Sequence, residues 1–514
     1  MDTKTENRIS GDAGPDVAAS NVNALKIGKK TFLTAVAILG ALMLAAGILT
    51  KVIPTGGYER IIQDGREIVQ QGTFHYTHGT GYPVWRWLTA PVEVLWGPDG
   101  VMIIVIILFI MSIAGSFSLL EKSNILQFML NKIVKRFESR KYLLLSVVCL
   151  FFMMLGAIFG TFEECVALVP ITVALACFLG WDSLVGLGMS VMAACFGFAA
   201  AITNPFSVAI AQKISGLPVY SAIGYRVVIF FCFFLLLDIF LVRYARKIEM
   251  KPELSYVYEE DAPVRAKYAK SAYDALNSQQ ATAVGDAAAS GYSRRMNRAI
   301  KCFGAFVLMI FAAIIAASLV PGLSDLVMPL IAVLFLAGSI ISSAVSGLEG
   351  KTGLKTAVNG IAGMAPGILL ILMAMSVKHI ISNGGIMDTI LNAAASMISG
   401  SSPYAAIFVL YVLILALELF IGSSSAKAFL VMPIIAPLAD LIGLTRQSTI
   451  LAFCFGDGFS NVLYPTNPVL LICLGLTVIS YGKWFRWTIR IQLAAFALSC
   501  AFMAVAVAVR LGPF

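Results

Sequence analysis

Long apolar runs of about 18–25 residues recur along this chain, and helices of that length cross about 30 Å of hydrocarbon. The short alternating segments of a membrane β-barrel are missing. Charged residues make up only 13% of the 514 residues and the mean hydropathy is +0.87, so a soluble core could not hide the apolar surface. We therefore expect an all-α polytopic membrane protein whose main solvent is the lipid bilayer.

The formal net charge of +9 arises from basic residues at the polar ends of the apolar runs. This distribution is the positive-inside pattern of membrane proteins, so we expect no nucleic-acid partner. The nine cysteines lie in apolar stretches without the spacing of a metal site, and we interpret them as small core residues. Residues 1–30 are polar and basic, which predicts a cytoplasmic N-terminal tail followed by an uncleaved first span.

Two halves of the chain repeat in sequence with a constant separation. Several residue types recur in one register, and such agreement indicates duplication. The residues that recur after 263 positions are Pro170-Ile171, Gly180, Phe196 and Thr203-Asn204-Pro205, which match Pro433-Ile434, Gly443, Phe459 and Thr466-Asn467-Pro468.

The charge pattern indicates that the two halves insert with opposite orientation. Residues 121–141 are rich in Lys and Arg, so we expect them in the cytoplasm. The matching stretch 384–403 contains Asp388 and no basic residue, so we expect it outside. One extra span at 327–346 has no apolar counterpart in the first half and inverts everything that follows. Inverted-topology repeats are a mark of alternating-access transporters.

Each half contains two apolar arms around a small polar centre, near 142–180 and near 404–443. The arms are either pairs of full spans or re-entrant hairpins, and the charge pattern permits both. We favour hairpins because the polar residues lie at the turn, while Asp182 and Arg446 mark the outer feet. The prediction is about nine spanning helices plus two hairpins. It comprises a first repeat at 31–243, a cytoplasmic linker of low order at 244–300 and a second repeat at 301–510. The predicted spans lie at 31–53, 100–120, 184–216, 226–243, 301–320, 327–346, 359–382, 447–478 and 489–509.

Ionisable groups inside apolar segments are costly and usually face a cavity or a partner. The primary candidates in this chain are Glu163, Glu164, Glu418, Lys427 and Asp457. Glu164 and Lys427 occupy equivalent places, each six residues before the repeated proline. A pseudo-twofold axis therefore predicts that they pair near the midplane. The pair would be either purely structural or released by a charged solute.

The two Thr-Asn-Pro sequences predict breaks in two spanning helices, because proline removes a backbone donor and disfavours helical geometry at the preceding residue. A simple proline kink is the alternative. In a break, the freed carbonyls and the Thr and Asn side chains suit sodium or proton coupling. We assign ion coupling to Thr203, Asn204, Thr466, Asn467 and Asp457.

A glycine-flanked acid, Gly456-Asp457-Gly458, precedes the second break. Glycines permit close helix approach, and Asp457 and Asn461 fall four apart on one helical face. The serines at the facing tip add hydroxyl groups, with a backbone-capping turn as their alternative role. We expect no catalytic residue, metal ligand or cofactor. The residues expected to line one substrate cavity are Thr161, Glu163, Glu164, Asn204, Ser423, Ser424, Ser425, Lys427, Asp457, Asn461 and Asn467.

A family resemblance lies in the runs GTFEECVALVPI (160–171), GFAAAITNPFSVAIAQ (197–212), GLPVYSAIGYR (216–226), MPIIAPLADLIGLTRQ (432–447) and AFCFGDGFSNVLYPTNP (452–468). They resemble the YfcC-like branch of the four-carbon-dicarboxylate carrier (DcuC-type) family, within the ion transporter superfamily. The resemblance implies inverted repeats with two re-entrant hairpins, a homodimer, and secondary transport of carboxylates or of amino acids such as arginine and ornithine. Family members usually show a Ser-Gly-Ser-Gly-Gln tip. This chain has Ser423-Ser424-Ser425-Ala426-Lys427, whose fixed cation could replace a sodium ion.

Residues and resemblance together predict a secondary active transporter of small carboxylate-bearing solutes in the bacterial inner membrane, with its N-terminus inside. The acids Glu163, Glu164 and Asp457 favour amino acids, basic ones included, over C4-dicarboxylates or short-chain carboxylates. A channel fits two symmetric hairpins less well. An intramembrane aspartyl protease would need a second aspartate facing Asp457. We therefore expect an antiporter or ion-coupled symporter and no enzyme.

Overall fold

The structure is a computed structural model that describes residues 29–63, 66–70, 72–77, 79, 82–268, 286–319, 324–477 and 479–512. Within these residues, ten helices are long and apolar enough to span a membrane. Two short antiparallel strand pairs follow the first span: β1 (Gly56–Gly57) with β4 (His75–Tyr76), and β2 (Arg60–Gln63) with β3 (Arg66–Val69). The prediction of an all-α polytopic membrane protein is confirmed.

The first half contains ten α-helices, several of them extended by short 3₁₀ or π turns. The α-helices are α1 (Lys29–Val52), α2 (Arg86–Glu93), α3 (Gly100–Lys122), α4 (Ile125–Phe137), α5 (Lys141–Met154), α6 (Val169–Phe178), α7 (Ser183–Leu187), α8 (Ala193–Ala200), α9 (Ile210–Ile214) and α10 (Ile223–Met250). The turns are Glu138–Arg140, Leu155–Phe159, Glu164–Leu168, Gly188–Met192 and Pro205–Ala209.

The rest of the described chain continues the helical pattern. A 3₁₀ turn at Pro252–Leu254 follows α10. The remaining helices are α11 (Ala262–Tyr268), α12 (Asp286–Leu319), α13 (Ser324–Ser346), α14 (Gly350–Gly363), α15 (Ala365–Asn383), α16 (Met387–Ser399), α17 (Pro403–Glu418), α18 (Ser424–Leu441), α19 (Arg446–Ser460), α20 (Pro468–Gly475) and α21 (Tyr481–Ala508).

Equivalent positions of the two halves adopt the same local structure. Gly180 and Gly443 both have left-handed φ angles, +87° and +73°, a conformation that costs glycine little. Two residues further on in each half, Asp182 and Thr445 cap the next helix through a side-chain oxygen, which accepts from a backbone N–H three residues later. The repeat seen in the sequence is therefore a structural repeat.

Equivalent helices of the two halves pack against each other in opposite directions. At its start, α19 contacts the end of α9, where Arg446 Nη1 donates to Ser215 O at 2.5 Å. Towards its end, α19 contacts α8, where Cys195 Sγ donates to Gly458 O at 2.8 Å. Along α19 the residue numbers rise, while the contacted residues of α8 and α9 fall from Ser215 to Cys195. The span formed by α8 and α9 therefore runs antiparallel to α19. A two-fold axis across the helices produces this arrangement, the geometry of inverted repeats.

The ten candidate spans include eight of the nine predicted from the sequence. The ninth, at 447–478, is divided into α19 and α20 by a break. The two additional candidates are Lys141–Phe159 and Ser424–Leu441, which belong to the segments that we call the first arm pair (142–180) and the second arm pair (404–443). Whether the arm pairs are re-entrant hairpins stays a prediction.

The expectation of low order across 244–300 is wrong for the described residues of that segment. Helix α10 continues to Met250 and α12 begins at Asp286. Between them, Asp261 accepts a hydrogen bond from Ser183 N at 2.7 Å, and Ser255 donates to Asp182 at 2.7 Å. The composition of the segment did not predict this packing against α7, because the packing depends on a few polar contacts. The Ala- and Ser-rich run from 271 lies outside the described residues as far as 285.

Candidate substrate site

Both predicted helix breaks are present, and an asparagine caps the helix that resumes after each one. Asn204 Oδ1 accepts from Phe206 N at 2.9 Å and from Ser207 N at 3.2 Å. Asn467 Oδ1 accepts from Val469 N at 2.9 Å and from Leu470 N at 3.3 Å in the same way. Proline follows each asparagine as the first helical residue, where its missing N–H costs nothing. These are interrupted helices, so the simple-kink alternative is wrong.

A second set of buried polar groups lies where the second arm pair meets α19. Lys427 forms ion pairs with Glu418 and with Asp457, the latter with 2.7 Å between Nζ and Oδ1. Ser424 donates from Oγ to Asp457 Oδ2 at 2.5 Å. Lys427 and Asp457 are fully buried and Glu418 is 4% exposed. We call Glu418, Ser424, Lys427 and Asp457 the Lys427 cluster.

Local structure explains how these four side chains meet. Ser424 and Lys427 lie three residues apart on one face of α18, and Glu418 is the last residue of α17. Asp457 reaches them because glycines on both sides let α19 approach its neighbours. A Cβ on Gly456 would lie 2.7 Å from Ile414 Cβ, and a Cβ on Gly458 would lie 2.3 Å from Ala199 Cα. The close helix approach inferred from these glycines is present.

The Lys427 cluster has an unbalanced charge. Two carboxylates and one ammonium group, all ionised, leave one net negative charge in a buried, membrane-embedded position. An uncompensated charge in such a place is costly. The cluster is therefore suited to take up one further cation: a proton, a metal ion or the cationic group of a solute.

The predicted ion pair between Glu164 and Lys427 is wrong. Lys427 pairs with Glu418 and Asp457, whereas Glu164 and Thr161 line a narrow, mostly apolar cleft that α12 and α13 close with Phe311 and Phe335. A two-fold axis brings equivalent residues together only where it passes between them. Here it passes between Cys195 and Gly458 rather than between Glu164 and Lys427.

The residues predicted for one cavity thus divide into two groups. Thr161, Glu163 and Glu164 lie at the tip of the first arm pair, and the Thr161 hydroxyl is buried without a hydrogen-bond partner. Gly160 beside them has a left-handed φ of +67°, and a Cβ there would lie 2.3 Å from Asn204 Oδ1. The first tip therefore packs on the break of its own half, while the Lys427 cluster forms at the second tip.

The three serines at the second tip have three different roles. Ser423 caps α18 by accepting from Ala426 N at 3.4 Å, which is the backbone-capping alternative. Ser424 belongs to the Lys427 cluster. Ser425 donates to Phe206 O at 3.2 Å and so joins the second tip to the break of the first half. The second tip therefore connects elements of both repeats.

The remaining predicted side chains lie around the second and first breaks. Asn461 donates from Nδ2 to Asp457 O at 2.8 Å, so the predicted shared face is present through a backbone carbonyl. Asn467 donates to Asn461 Oδ1 at 2.6 Å. Thr466 Oγ1 is buried without a partner, and Thr203 Oγ1 donates to Ile158 O at 3.1 Å. Glu418 also belongs to the site. The sequence places it among the ionisable groups in apolar segments, but the predicted cavity does not include it.

Sequence comparison identifies proteins that share these segments. A family profile described as C4-dicarboxylate anaerobic carrier, DcuC, matches residues 32–508. This chain belongs to that family. An Escherichia coli (strain K12) relative named Putative basic amino acid antiporter YfcC is 31% identical over 393 residues, which are 74% of this chain and 73% of the relative. An uncharacterized protein of Haemophilus influenzae is 28% identical over 382 residues, 74% of this chain and 71% of that protein.

Solved transporter structures share low similarity with this member of the DcuC family. The YdaH transporter of Alcanivorax borkumensis is 16% identical, covers 94% of this chain and 99% of its own, and has a TM-score of 0.39. MtrF of Neisseria gonorrhoeae is 15% identical, covers 92% and 95%, and has a TM-score of 0.40. Family membership and the spanning helices establish a multi-pass protein of a transporter family.

Proposed function

We propose that this chain is a secondary active transporter of amino acids, either an antiporter or an ion-coupled symporter, with basic amino acids as its leading substrates. We place it in the bacterial inner membrane with its N-terminus inside, and expect a homodimer. The observation that carries the proposal is the buried Lys427 ammonium group, held by Glu418 and Asp457 beside an interrupted helix.

The Lys427 cluster already binds the chemical group that a basic amino acid would present. Glu418 and Asp457 hold an ammonium ion on a flexible stem, and the side chains of lysine, ornithine and arginine each end in a cationic group. The net negative charge favours the binding of one of them. The printed name of the E. coli relative, a basic amino acid antiporter, agrees with this substrate class.

Coupling follows from the same charge balance. When no solute is bound, a proton or a sodium ion would neutralise the remaining negative charge of the cluster. A substrate cation would replace that ion, so that loading and unloading are linked through a single site. Exchange of one cationic amino acid for another satisfies the same condition, which accommodates an antiporter.

A C4-dicarboxylate or another small carboxylate is the second candidate substrate. The description of the family favours it. In that case Lys427 would be the anion-binding group, released from Glu418 or Asp457 when that acid is protonated. The two candidates therefore assign opposite roles to the same lysine.

Counterflow in proteoliposomes tests the proposal. The purified chain is reconstituted into liposomes loaded with unlabelled L-arginine, L-ornithine or succinate, and the uptake of labelled L-arginine and labelled succinate is measured against unloaded liposomes. Internal basic amino acids should stimulate arginine uptake, because a carrier loaded with substrate returns to its outward-facing state faster than an empty carrier does. Stimulation by succinate alone would replace the first candidate with the second. Uptake without any exchange stimulation would indicate a channel and contradict the proposal.

A further inference from the structure

Arg226 is a buried arginine for which the described residues supply no anionic partner. It lies in the first turn of α10 and its side chain is 2% exposed. Two of the guanidinium nitrogens, Nε and Nη1, have no hydrogen-bond partner, and no ion pair of the described residues includes Arg226. Burying a charge without a counter-ion is costly, so an unpaired buried group in a native protein calls for an explanation, such as a functional role or a bound ion.

Residues of the first break, which Cys454 links to Arg226, also have unused hydrogen-bond donors. Cys454 of α19 lies beside both the Arg226 guanidinium and the Ser207 hydroxyl, and a thiol is only a weak acceptor. Ser207 Oγ has no partner, and neither has Nδ2 of Asn204, whose Oδ1 is occupied as a helix cap. All three side chains are fully or almost fully buried. Guanidinium and amide N–H groups can only donate, so the missing partner must supply acceptors.

The orphaned donors lie next to the Lys427 cluster. Cys454, which lies beside Arg226, precedes Asp457 by three residues, which is nearly one helical turn on the same face of α19. Donors and a positive charge therefore lie beside Cys454, and the negatively charged cluster lies about one turn further along α19. A solute with a carboxylate at one end and a cation at the other matches this polarity.

We propose that Arg226, assisted by Ser207, binds the carboxylate of the transported solute. The guanidinium offers two parallel N–H groups to a carboxylate, a planar bidentate geometry that lysine cannot reproduce. An amino acid would then lie with its carboxylate at Arg226 and its cationic group at the Lys427 cluster. The inference rests on the proposed function and adds to it the residue that recognises the carboxylate.

The test compares ligands with and without a carboxylate on purified variants. Thermal stabilisation and binding are measured for wild type, Arg226→Gln and Arg226→Lys with L-arginine, its decarboxylated analogue agmatine, succinate and succinamide. Arg226→Gln should bind L-arginine or succinate about ten- to hundredfold more weakly, as expected for lost hydrogen bonds to a charged group, and agmatine unchanged. Arg226→Lys should be intermediate. Arg243→Gln, an exposed arginine of the same helix, is the matched control and should bind as wild type does.

The ligand-free protein provides a second readout. Removing an unpaired buried cation should leave its melting temperature unchanged or raise it, so Arg226→Gln should lose binding without losing stability. A lower melting temperature or misfolding of Arg226→Gln would show that the guanidinium is structural and would overturn the inference. Equal loss of arginine and agmatine binding would also overturn it. If wild type binds neither L-arginine nor succinate, the proposed function fails. If wild type binds one of these two ligands and Arg226→Gln binds it equally well, only the role of Arg226 fails.

Discussion

The ring of Phe196 packs edge-to-face against the ring of Phe459, its equivalent 263 positions later, with 5.0 Å between the centroids and 80° between the planes. Their preceding residues also meet, since Cys195 donates to the carbonyl of Gly458. Equivalent residues can touch only on the axis that relates the repeats. The axis therefore passes one residue from Asp457, so the Lys427 cluster lies beside the contact between the two halves.

The Lys427 cluster should behave as one energetic unit. Lys427→Gln leaves two buried carboxylates without their cation, so we expect a loss of about 3–5 kcal/mol in the free energy of unfolding. Adding Glu418→Gln should recover part of it, because one of the two charges is then removed. Unfolding by SDS titration of both single variants and the double variant measures the coupling. Glu164→Gln is the control and should add to Lys427→Gln, whereas additivity between Glu418 and Lys427 would refute the cluster.

Asp457→Asn should abolish transport while the protein still inserts and elutes as wild type does. The substitution keeps an acceptor for the Ser424 hydroxyl but removes the charge that binds a cation. Counterflow in proteoliposomes and size-exclusion chromatography measure the two properties. Asp440→Asn, an exposed acid in the same half, should leave transport unchanged. Normal transport by Asp457→Asn would show that Asp457 is a packing acid and that the site lies elsewhere.

Sodium dependence should appear or increase when Lys427 is replaced by glutamine. If the ammonium group stands in for a bound cation, its loss opens a site between two carboxylates that sodium can occupy. Transport and melting temperature of Lys427→Gln are measured in sodium chloride and in choline chloride. Sodium should raise both in the variant and have a smaller effect on wild type. If Lys427→Gln responds equally to sodium chloride and choline chloride, the hypothesis that the Lys427 ammonium group stands in for a bound cation is refuted.

Inverted insertion predicts opposite labelling of equivalent segments. A single cysteine placed in 121–141, in a background without native cysteines, should react with an impermeant thiol reagent only from the cytoplasm. A cysteine in 384–403 should react only from outside. Labelling in intact cells and in inside-out vesicles distinguishes the two faces. Reaction of both positions from the same side would contradict the inverted topology.

Docking of the segment 252–268 should weaken as the pH rises from about 4 to about 6. Burial raises the pKa of Asp261 to about 6, with the nearby Asp182 raising it further and Ser183 and Arg265 opposing the rise. Because the folded pKa exceeds the unfolded one, the contribution to stability is present below the unfolded pKa and is lost as the pH rises through the folded value. The protection of this segment from hydrogen exchange, corrected for the intrinsic pH dependence of amide exchange, should therefore fall over that range. Asp261→Asn should remove the change, and persistence of the change would exclude Asp261 as its source.

The spanning helices and their internal repeat could be predicted from the sequence because both depend on local properties. Helix formation in a membrane follows from runs of apolar residues, since every backbone group must find its partner within the segment. The breaks at Asn204 and Asn467 were equally local, because proline acts on its own backbone and on the preceding residue. The duplication was visible because it is a relation between residue types.

Only the tertiary structure decided which charges meet. Sequence equivalence made Glu164 the partner expected for Lys427, but the position of the two-fold axis joins Lys427 to Glu418 and Asp457. Arg226 resembled an ordinary basic residue near a helix end, and only the packing of α10 against α19 shows that it is buried without an anion. Electrostatic energy depends on distance and burial, which are set by the packing of elements far apart in the chain, so the residue sequence determined the helices while their packing determined the site.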